Sequence, residues 1–251
     1  MTSIPTILIT NDDGIDSLFL RTLAETYHPF FNLTIIAPAK EESWIAHKIS
    51  KGKTLQLKKN NSFQCPAWSL SGTPADCTNT GIHNFFKLPP SLIISGVNIG
   101  ANTTLSLILA SGTVAGATEG IFQGVPAVAI SQSVPYSINE NNPVTSAKGQ
   151  LVDLEKHLLN IKPTLEDIIK KGATQTLHNF NFPYQHTPEC KIEKTIPATT
   201  LPSNIFSRKG NTNNFEFSLS IKEPQDTSNN SDRNCLRRGN ISHSEINFQN
   251  L

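Results

Sequence analysis

Short apolar runs alternate with longer amphipathic stretches along the first two thirds of the chain. Runs that are largely apolar on both faces predict buried parallel strands. Five such runs lie at residues 6–10, 33–37, 67–70, 91–95 and 127–131. Apolar residues spaced by three and four positions predict helices at residues 18–27, 75–86, 113–122, 147–159 and 165–171. This alternation predicts an α/β fold with a Rossmann-like, doubly wound, mostly parallel sheet.

The last part of the chain has a different composition. After Pro183 the residues are mainly Asn, Ser, Thr, Lys and Pro, and alternating aromatic positions predict a hairpin at residues 204–220. We therefore expect an α/β catalytic core at residues 1–183 and a C-terminal extension with a hairpin arm at residues 184–251. An arm this polar needs another surface to pack on, so contact with a second subunit and partial disorder both fit the pattern.

Charge and cysteine content narrow the function classes. The 251 residues include 21 Lys and Arg against 20 Asp and Glu, a net charge of +1 that disfavours binding to duplex nucleic acid. The irregular spacing of Cys65, Cys77, Cys190 and Cys235 fits neither a CxxC pair nor a dense disulfide scaffold, so we expect a reducing, cytoplasmic environment. No apolar run approaches the roughly 20 residues that span a bilayer, and no signal peptide is expected.

Two adjacent acids follow the first predicted strand, in the string Asn11-Asp12-Asp13-Gly14. Taken alone, such a string is more often a turn that caps the next helix. However, two neighbouring carboxylates repel unless a cation or hydrogen-bond donors offset them. Because parallel strands end at one edge of a sheet, Asp12, Asp13, Ser43 and Asn98 could converge on one ion. An all-oxygen ligand set favours Mg²⁺, Mn²⁺ or Ca²⁺ over zinc.

A second group of residues suggests phosphate binding beside this ion. Asn102 follows a glycine-containing loop, and Ser111, Gly112 and Thr113 open a predicted helix of small residues. Free backbone N–H groups and the helix dipole favour anions at such a position. The alternative is structural: Ser111 caps the helix and Gly112 permits close packing.

Five motifs in order resemble those of the SurE-type survival proteins, which are metal-dependent 5′/3′-nucleotidases. The motifs are Ile-Leu-Ile-Thr-Asn-Asp-Asp-Gly-Ile at 7–15, Ala-Pro at 37–38 with Ser43 and His47, Gly-Thr-Pro-Ala-Asp-Cys at 72–77, Ile-Ser-Gly-Val-Asn-Ile-Gly-Ala-Asn at 94–102 and Ser-Gly-Thr-Val-Ala-Gly-Ala-Thr-Glu-Gly at 111–120. An ordered set of motifs is far more specific than any one of them.

The resemblance implies a Rossmann-like domain whose C-terminal arm is exchanged between subunits of a homodimer or homotetramer. It implies hydrolysis of nucleoside 5′- and 3′-monophosphates with one divalent ion, Mg²⁺ or Mn²⁺, per subunit. The metal ligands would be Asp12, Asp13, Ser43 and Asn98. The phosphate would contact Asn102, Ser111, Gly112 and Thr113. The catalytic residues would be Asp12, Asp13, Asn102 and Ser111.

The chain departs from the family pattern in two places. Residues 102–106 and Ala110 stand where the family usually has an Asn-x-Gly-x-Asp run and a Tyr, with one residue added, and residues 242–245 replace the usual Ile-Thr-Pro-Leu. A catalytically weakened nucleotide sensor with the same fold is therefore the alternative. Two further residues carry hypotheses: His47 as a general acid or phosphate neighbour, and Asp76 as a brace for the loop around Pro74.

Overall fold

The structure of the protein is a computed structural model that describes residues 4–134, 151–199, 204–220 and 228–250. The strands are β1 Thr6–Thr10, β2 Asn32–Pro38, β3 Leu57–Asn60, β4 Ala67–Leu70, β5 Leu92–Ile99, β6 Ala127–Gln132, β7 Thr176–Phe182, β8 Ile192–Thr195, β9 Asn204–Arg208, β10 Phe215–Ser220 and β11 Ile241–Asn247. The helices are α1 Leu18–Tyr27, α2 Pro74–Phe85, α3 Leu105–Ala110, α4 Gly112–Phe122, α5 Leu151–Lys171 and α6 Asp232–Arg237, followed by a 3₁₀ turn at Phe248–Asn250.

Among the described residues, nine strands form one sheet in the order β3-β4-β2-β1-β5-β6-β7-β11-β8. Strands β1, β2, β4, β5, β6 and β7 are parallel, whereas β3 is antiparallel to β4 and β11 is antiparallel to β7. The predicted doubly wound, mostly parallel α/β sheet is therefore confirmed. The five predicted strands and the first three predicted helices are also confirmed, although β5 extends further than predicted.

Helices cover both faces of the sheet, and each face has its own apolar cluster. Ile7 and Ile9 of β1 pack with residues of α1 and α5, whereas Leu8 packs with residues of α2 and α4. All three side chains are fully buried. Each such burial contributes roughly 1.5–3 kcal/mol. The strand that precedes the paired acids is thus held firmly on both sides.

The region after residue 150 differs from the prediction of two helices at 147–159 and 165–171. One continuous helix, α5, runs through Pro163, while residues 147–150 lie outside the described ranges. A proline inside a helix costs about 3 kcal/mol. The cost is offset because Pro163 is on the exposed side and the opposite side carries the buried apolar residues Leu154, Leu158, Ile161, Leu165 and Ile168. The predicted stop at Gly172 is confirmed by its φ of +75°.

The C-terminal part of the chain does more than form an arm. The predicted hairpin is confirmed as the antiparallel pair of β9 and β10, a separate two-stranded sheet. Strands β8 and β11, however, complete the core sheet, which differs from the expected division at residue 183. These two strands were not predicted because they are rich in polar residues. The polar side chains have partners in the structure: Ser242 and Ser244 are buried, and each hydroxyl lies 2.8 Å from the Thr195 hydroxyl. The intersubunit role of the arm stays a prediction.

Within the ranges that the structure describes, no helix is both long enough and apolar enough to cross a membrane.

Candidate active site

A tight turn presents the two acids at the carboxyl end of β1. The Asn11 side-chain amide donates to the Gly14 carbonyl at 2.9 Å, and the Ile15 N–H donates to the Pro38 carbonyl at 2.9 Å. Gly14 has a φ of +92°, where side chains other than glycine are strained. A Cβ there would also lie 3.2 Å from the Lys40 carbonyl carbon. The turn between β1 and α1 is therefore locked against the end of β2.

Asp12 points at the beginning of α4. Its carboxylate accepts hydrogen bonds from the Thr113 N–H, at 3.0 Å, and from the Thr113 hydroxyl. A Cβ on Gly112 would lie 2.9 Å from the Asp12 Cβ and 2.7 Å from the Glu42 carbonyl oxygen. Glycine is therefore required here for the helix to approach the acid, as the packing alternative predicted.

Asp13 points at the end of β5. Its carboxylate accepts a hydrogen bond from the Ile99 N–H at 3.1 Å. The neighbouring Asn98 side chain donates its Nδ2 to the Gly100 carbonyl at 2.7 Å, so its oxygen is not used by that bond. The structure thus brings two of the four predicted ligands, Asp13 and Asn98, to one strand end.

The loop after β2 brings Ser43 to the same edge. The Glu42 N–H donates to the Asp12 backbone carbonyl at 2.7 Å, and the Ala46 N–H donates to the Ala110 carbonyl at 3.0 Å. The Ser43 hydroxyl donates to the Glu41 carboxylate at 2.8 Å. Three loops that are distant in sequence are therefore joined around Asp12 by backbone hydrogen bonds.

The electrostatics of the two acids indicate an uncompensated negative charge. Burial, as the largest cause, raises the pKa of Asp12 to about 6, and burial together with the charge of Asp12 raises the pKa of Asp13 well above its usual value. Glu41 adds further repulsion to both. Among the described residues, neither acid forms an ion pair with a basic side chain. Carboxylate, hydroxyl and amide oxygens around such a charge fit a hard divalent cation.

Asn102 is held in a buried polar network beside this edge. Its backbone N–H donates to the Asn181 side chain at 2.7 Å, and its carbonyl accepts from the side chains of Asn179 and Asn181. Its own side-chain amide donates to the Ser131 hydroxyl at 2.9 Å. All of these residues are buried. The loop that carries Asn102 is therefore anchored to the ends of β6 and β7.

The residues at the start of α4 have structural partners. The Ser111 hydroxyl accepts from the Val114 N–H at 3.1 Å, so Ser111 is the N-cap of the helix. Both donors of Thr113 are directed at Asp12, so Thr113 positions the acid in this structure. The structural alternative is thus observed for Ser111 and Gly112. Phosphate binding by Ser111, Gly112 and Thr113 stays a prediction.

His47 and Asp76 each have partners other than the four predicted metal ligands. The His47 Nε2 atom lies 3.0 Å from the Glu119 Oε2 atom, and Glu119 follows Thr113 by six residues, or roughly 9 Å along the helix. Asp76 accepts from the Thr73 N–H at 2.9 Å and from the Ser50 N–H at 3.1 Å. The prediction that Asp76 braces the loop around Pro74 is therefore confirmed, and general-acid action by His47 stays a prediction.

The sequence alone gave no role to the residues that hold the 102–104 loop from the far side. Asp232 is fully buried, and its carboxylate accepts from the N–H groups of Thr104, Ala198 and Arg233 at 2.7–3.1 Å. The asparagines at 179 and 181 hold the same loop. Two asparagines spaced by two positions within an apolar strand were the signal that could have found them, because such spacing places both on one buried face.

The fold and this edge place the chain among the Rossmann-like α/β proteins whose functional loops follow the parallel strands. A family profile described as "Survival protein SurE" matches residues 7–206. The chain belongs to the SurE family.

Relatives agree with this assignment, and a solved structure shares the fold. Proteins called "5'-nucleotidase SurE" from Thermoanaerobacter sp. and Clostridium beijerinckii are similar to it. The first is 36% identical over 202 residues, covering 80% of this chain and 73% of the relative. The second is 32% identical over 256 aligned positions, covering 96% and 92%. The fold matches the crystal structure of the SurE protein from Aquifex aeolicus with a TM-score of 0.73 at 22% identity, covering 97% of this chain and 93% of that one.

Proposed function

We propose that the protein is a divalent-metal-dependent phosphomonoesterase that hydrolyses nucleoside 5′- and 3′-monophosphates to nucleoside and phosphate. The observation that carries this proposal is a pair of adjacent carboxylates at one edge of the sheet: Asp12 is buried and bonds to the start of α4, and Asp13 is partly buried and bonds to the end of β5. Among the described residues neither has a basic partner, and the pKa of both is raised. The names of the relatives support the same activity.

One Mg²⁺ or Mn²⁺ ion per subunit would be held by Asp12, Asp13, Ser43 and Asn98. When bound, such an ion supplies positive charge to the phosphoryl oxygens and activates water for attack. Support comes from the donor chemistry, which is entirely oxygen, and from the raised pKa of both acids, since a cation favours their charged forms.

The residues of the chain would position the reactants around this charge. The Thr113 N–H and hydroxyl orient the Asp12 carboxylate, and the Ile99 N–H orients that of Asp13. The N-terminus of α4, an eleven-residue helix, favours the negative phosphoryl group. Asn102, held by β6 and β7, would direct its side chain to a phosphate oxygen without a cost for ordering the loop during the reaction.

The alternative function is a nucleotide sensor that binds without turnover. The observation that favours it is the departure from the family pattern at residues 102–106 and Ala110. In the structure, the short helix α3, Leu105–Ala110, contains the last of these residues and directly precedes the proposed phosphate position at Ser111.

A phosphate-release assay separates the two functions. The purified protein is incubated with 5′- and 3′-mononucleotides and Mg²⁺ or Mn²⁺, with and without a chelator. We expect metal-dependent release that is lost in Asp12→Asn and Asp13→Asn and kept in the exposed control Asp16→Asn. Saturable nucleotide binding without release supports the sensor. Release that neither substitution nor chelator reduces would remove both acids from the mechanism.

We also propose that the protein is a cytoplasmic homodimer or homotetramer joined through the β9–β10 arm. Four free cysteines support a reducing compartment. The arm exposes about half of each of its aromatic side chains Phe206, Phe215 and Phe217. Light scattering of the wild type and of Phe215→Ser would test the arm, since a monomeric wild type or an unchanged variant mass contradicts it.

A further inference from the structure

Three metal-ligating side chains meet on strands β7 and β11, away from the two acids. The His178 Nδ1 atom lies 3.0 Å from the His243 Nε2 atom and 4.0 Å from the Glu245 Oε1 atom. One ligand atom from each residue lies within 4.8 Å of those of the other two. This is the only such group of His, Cys, Asp and Glu found among the described residues.

The strand register builds this cluster. In the antiparallel pair of β7 and β11, Glu245 lies directly opposite His178, and His243 lies opposite Phe180. Opposed residues of an antiparallel pair share one face of the sheet, so all three ligands project from the same side. The Phe180 ring stacks on the His243 imidazole with centroids 4.1 Å apart and fixes its plane.

The cluster is distinct from the proposed nucleotidase site. Because side chains alternate along a strand, His178 points to the face opposite that of Asn179 and Asn181, which hold Asn102. Two of the three ligands also lie in residues 242–245, where the chain departs from the SurE pattern. The cluster therefore needs an explanation of its own.

Both imidazoles are in the neutral form that binds a metal cation. Burial, the largest cause, lowers the pKa of His178 and lowers that of His243 to about 4, so both rings are neutral near pH 7. Their mutual hydrogen bond uses one ring proton between two nitrogens. Moving that proton to the other nitrogen of its own ring frees both lone pairs with no change in net protonation.

We propose that His178, His243 and Glu245 form a second metal site, which takes Zn²⁺ or a similar borderline transition-metal ion and links β11 to β7. Two imidazoles and one carboxylate suit zinc, whereas the all-oxygen set around Asp12 suits Mg²⁺ or Mn²⁺. Tetrahedral zinc ligands lie roughly 3.4 Å apart. The two nitrogens therefore need to separate by only a few tenths of an ångström, and the Glu245 Oε1 atom, 4.0 Å from His178 Nδ1, needs to move closer to that nitrogen by roughly 0.6 Å.

Access and competing charge shape this site. The side chains of His178 and Glu245 are 12% and 36% exposed, so an ion can enter from the surface, and three protein ligands leave a fourth position for water. Lys194 Nζ lies 2.8 Å from the Glu245 Oε2 atom, which leaves Oε1 directed at His178. Lys171 is the other cation that acts on both imidazoles. We expect Lys194 to weaken metal binding by repulsion.

Zinc binding by the full-length protein tests the proposal. The metal-free protein is saturated with Mg²⁺ to fill the oxygen site and is then titrated with Zn²⁺ against a chromophoric chelator. We expect one Zn²⁺ per chain, with affinity at least about 10-fold weaker in His243→Gln and Glu245→Gln and tighter in Lys194→Met. His83→Gln, which changes an exposed histidine on α2, is the matched control and should bind like the wild type.

Two further measurements keep the outcome decisive. Zn²⁺ should raise the melting temperature of the wild type and not that of Glu245→Gln. This variant is suitable because the Glu245 side chain is partly exposed and glutamine keeps its shape. Co²⁺ should give the wild type intense visible absorption, typical of imidazole ligation at low coordination number, and this absorption should persist in Asp13→Asn. Equal Zn²⁺ affinity in the wild type and Glu245→Gln, or loss of the Co²⁺ signal in Asp13→Asn alone, would overturn the proposal.

Discussion

Thr113 donates both its backbone N–H, at 3.0 Å, and its side-chain hydroxyl to the carboxylate of Asp12, which precedes it by 101 residues. The two bonds join the end of the central strand β1 to the start of helix α4. They also lower the pKa of Asp12, although burial has the larger, opposite effect. The acid and the helix terminus therefore form one positioned unit.

The variant Thr113→Val tests this relationship. Valine keeps the shape of the side chain and the backbone donor but removes the hydroxyl donor, so Asp12 should lose orientation and its pKa should rise. We expect kcat/KM for mononucleotide hydrolysis to fall by about 10-fold or more. Thr118→Val is the matched control, because the Thr118 hydroxyl bonds only within α4, to the Val114 carbonyl. Equal losses in the two variants would contradict a positioning role for Thr113.

The variant Asp13→Asn should separate activity from stability. It removes one of two mutually repelling charges, while the amide oxygen that replaces it can still accept from the Ile99 N–H. We expect phosphate release to fall on the order of 100-fold or more. In a chelator, we expect the free energy of unfolding to rise or stay the same. Urea denaturation checks the second result, and a marked loss of stability would show that the charge is already compensated in the metal-free fold.

The same substitution at Asp232 should have the opposite effect on stability. The Asp232 carboxylate accepts three backbone N–H groups, and an amide presents a donor in place of one acceptor oxygen. We expect Asp232→Asn to lower the free energy of unfolding by about 1–3 kcal/mol. Asp167→Asn, at an exposed site on α5, should change it by less than about 0.5 kcal/mol. A change at Asp232 no larger than that of the control argues against its role as a brace.

The stability of the metal-free protein should depend on pH through Asp12. Its folded pKa of about 6 exceeds the usual value of 3.8, so the folded state binds this proton more tightly than the unfolded state. The resulting stabilisation is complete below about pH 4 and is lost as the pH rises through 6, at about 1.4 kcal/mol per unit of pKa difference. Asp13, whose pKa is also raised, acts in the same direction.

Comparing the wild type with Asp12→Asn separates the contribution of Asp12 from that of other titrating groups. Burial lowers the pKa of His157 and His243 to about 4, so these two groups favour the folded state increasingly as the pH rises over the same range. Urea midpoints in a chelator from pH 4.5 to 7.5 should therefore be compared between the wild type and Asp12→Asn. The wild type should lose stability relative to the variant as the pH rises. Parallel curves would show that Asp12 does not bind a proton in this range.

The sequence predicted the local features of the site and the order of the core elements. Ser111 caps α4 as its pattern indicates, because a cap bonds to N–H groups only two or three residues away. The hydrogen bonds of Thr113 to Asp12 could not be predicted in this way, because the two residues are 101 positions apart. Thr113 was predicted to face the phosphate, since a sequence pattern shows which groups can donate but not which acceptor lies nearest.

The sequence by itself determined the buried parallel strands, the helices between them and the acidic turn after β1, because burial and backbone propensity act over neighbouring residues. Tertiary structure alone decided that polar β8 and β11 complete the sheet, that α5 continues through Pro163, and that His178 meets His243 across 65 positions. Each of these depends on a partner distant in the chain, and the energy that such a partner supplies outweighs the local preference.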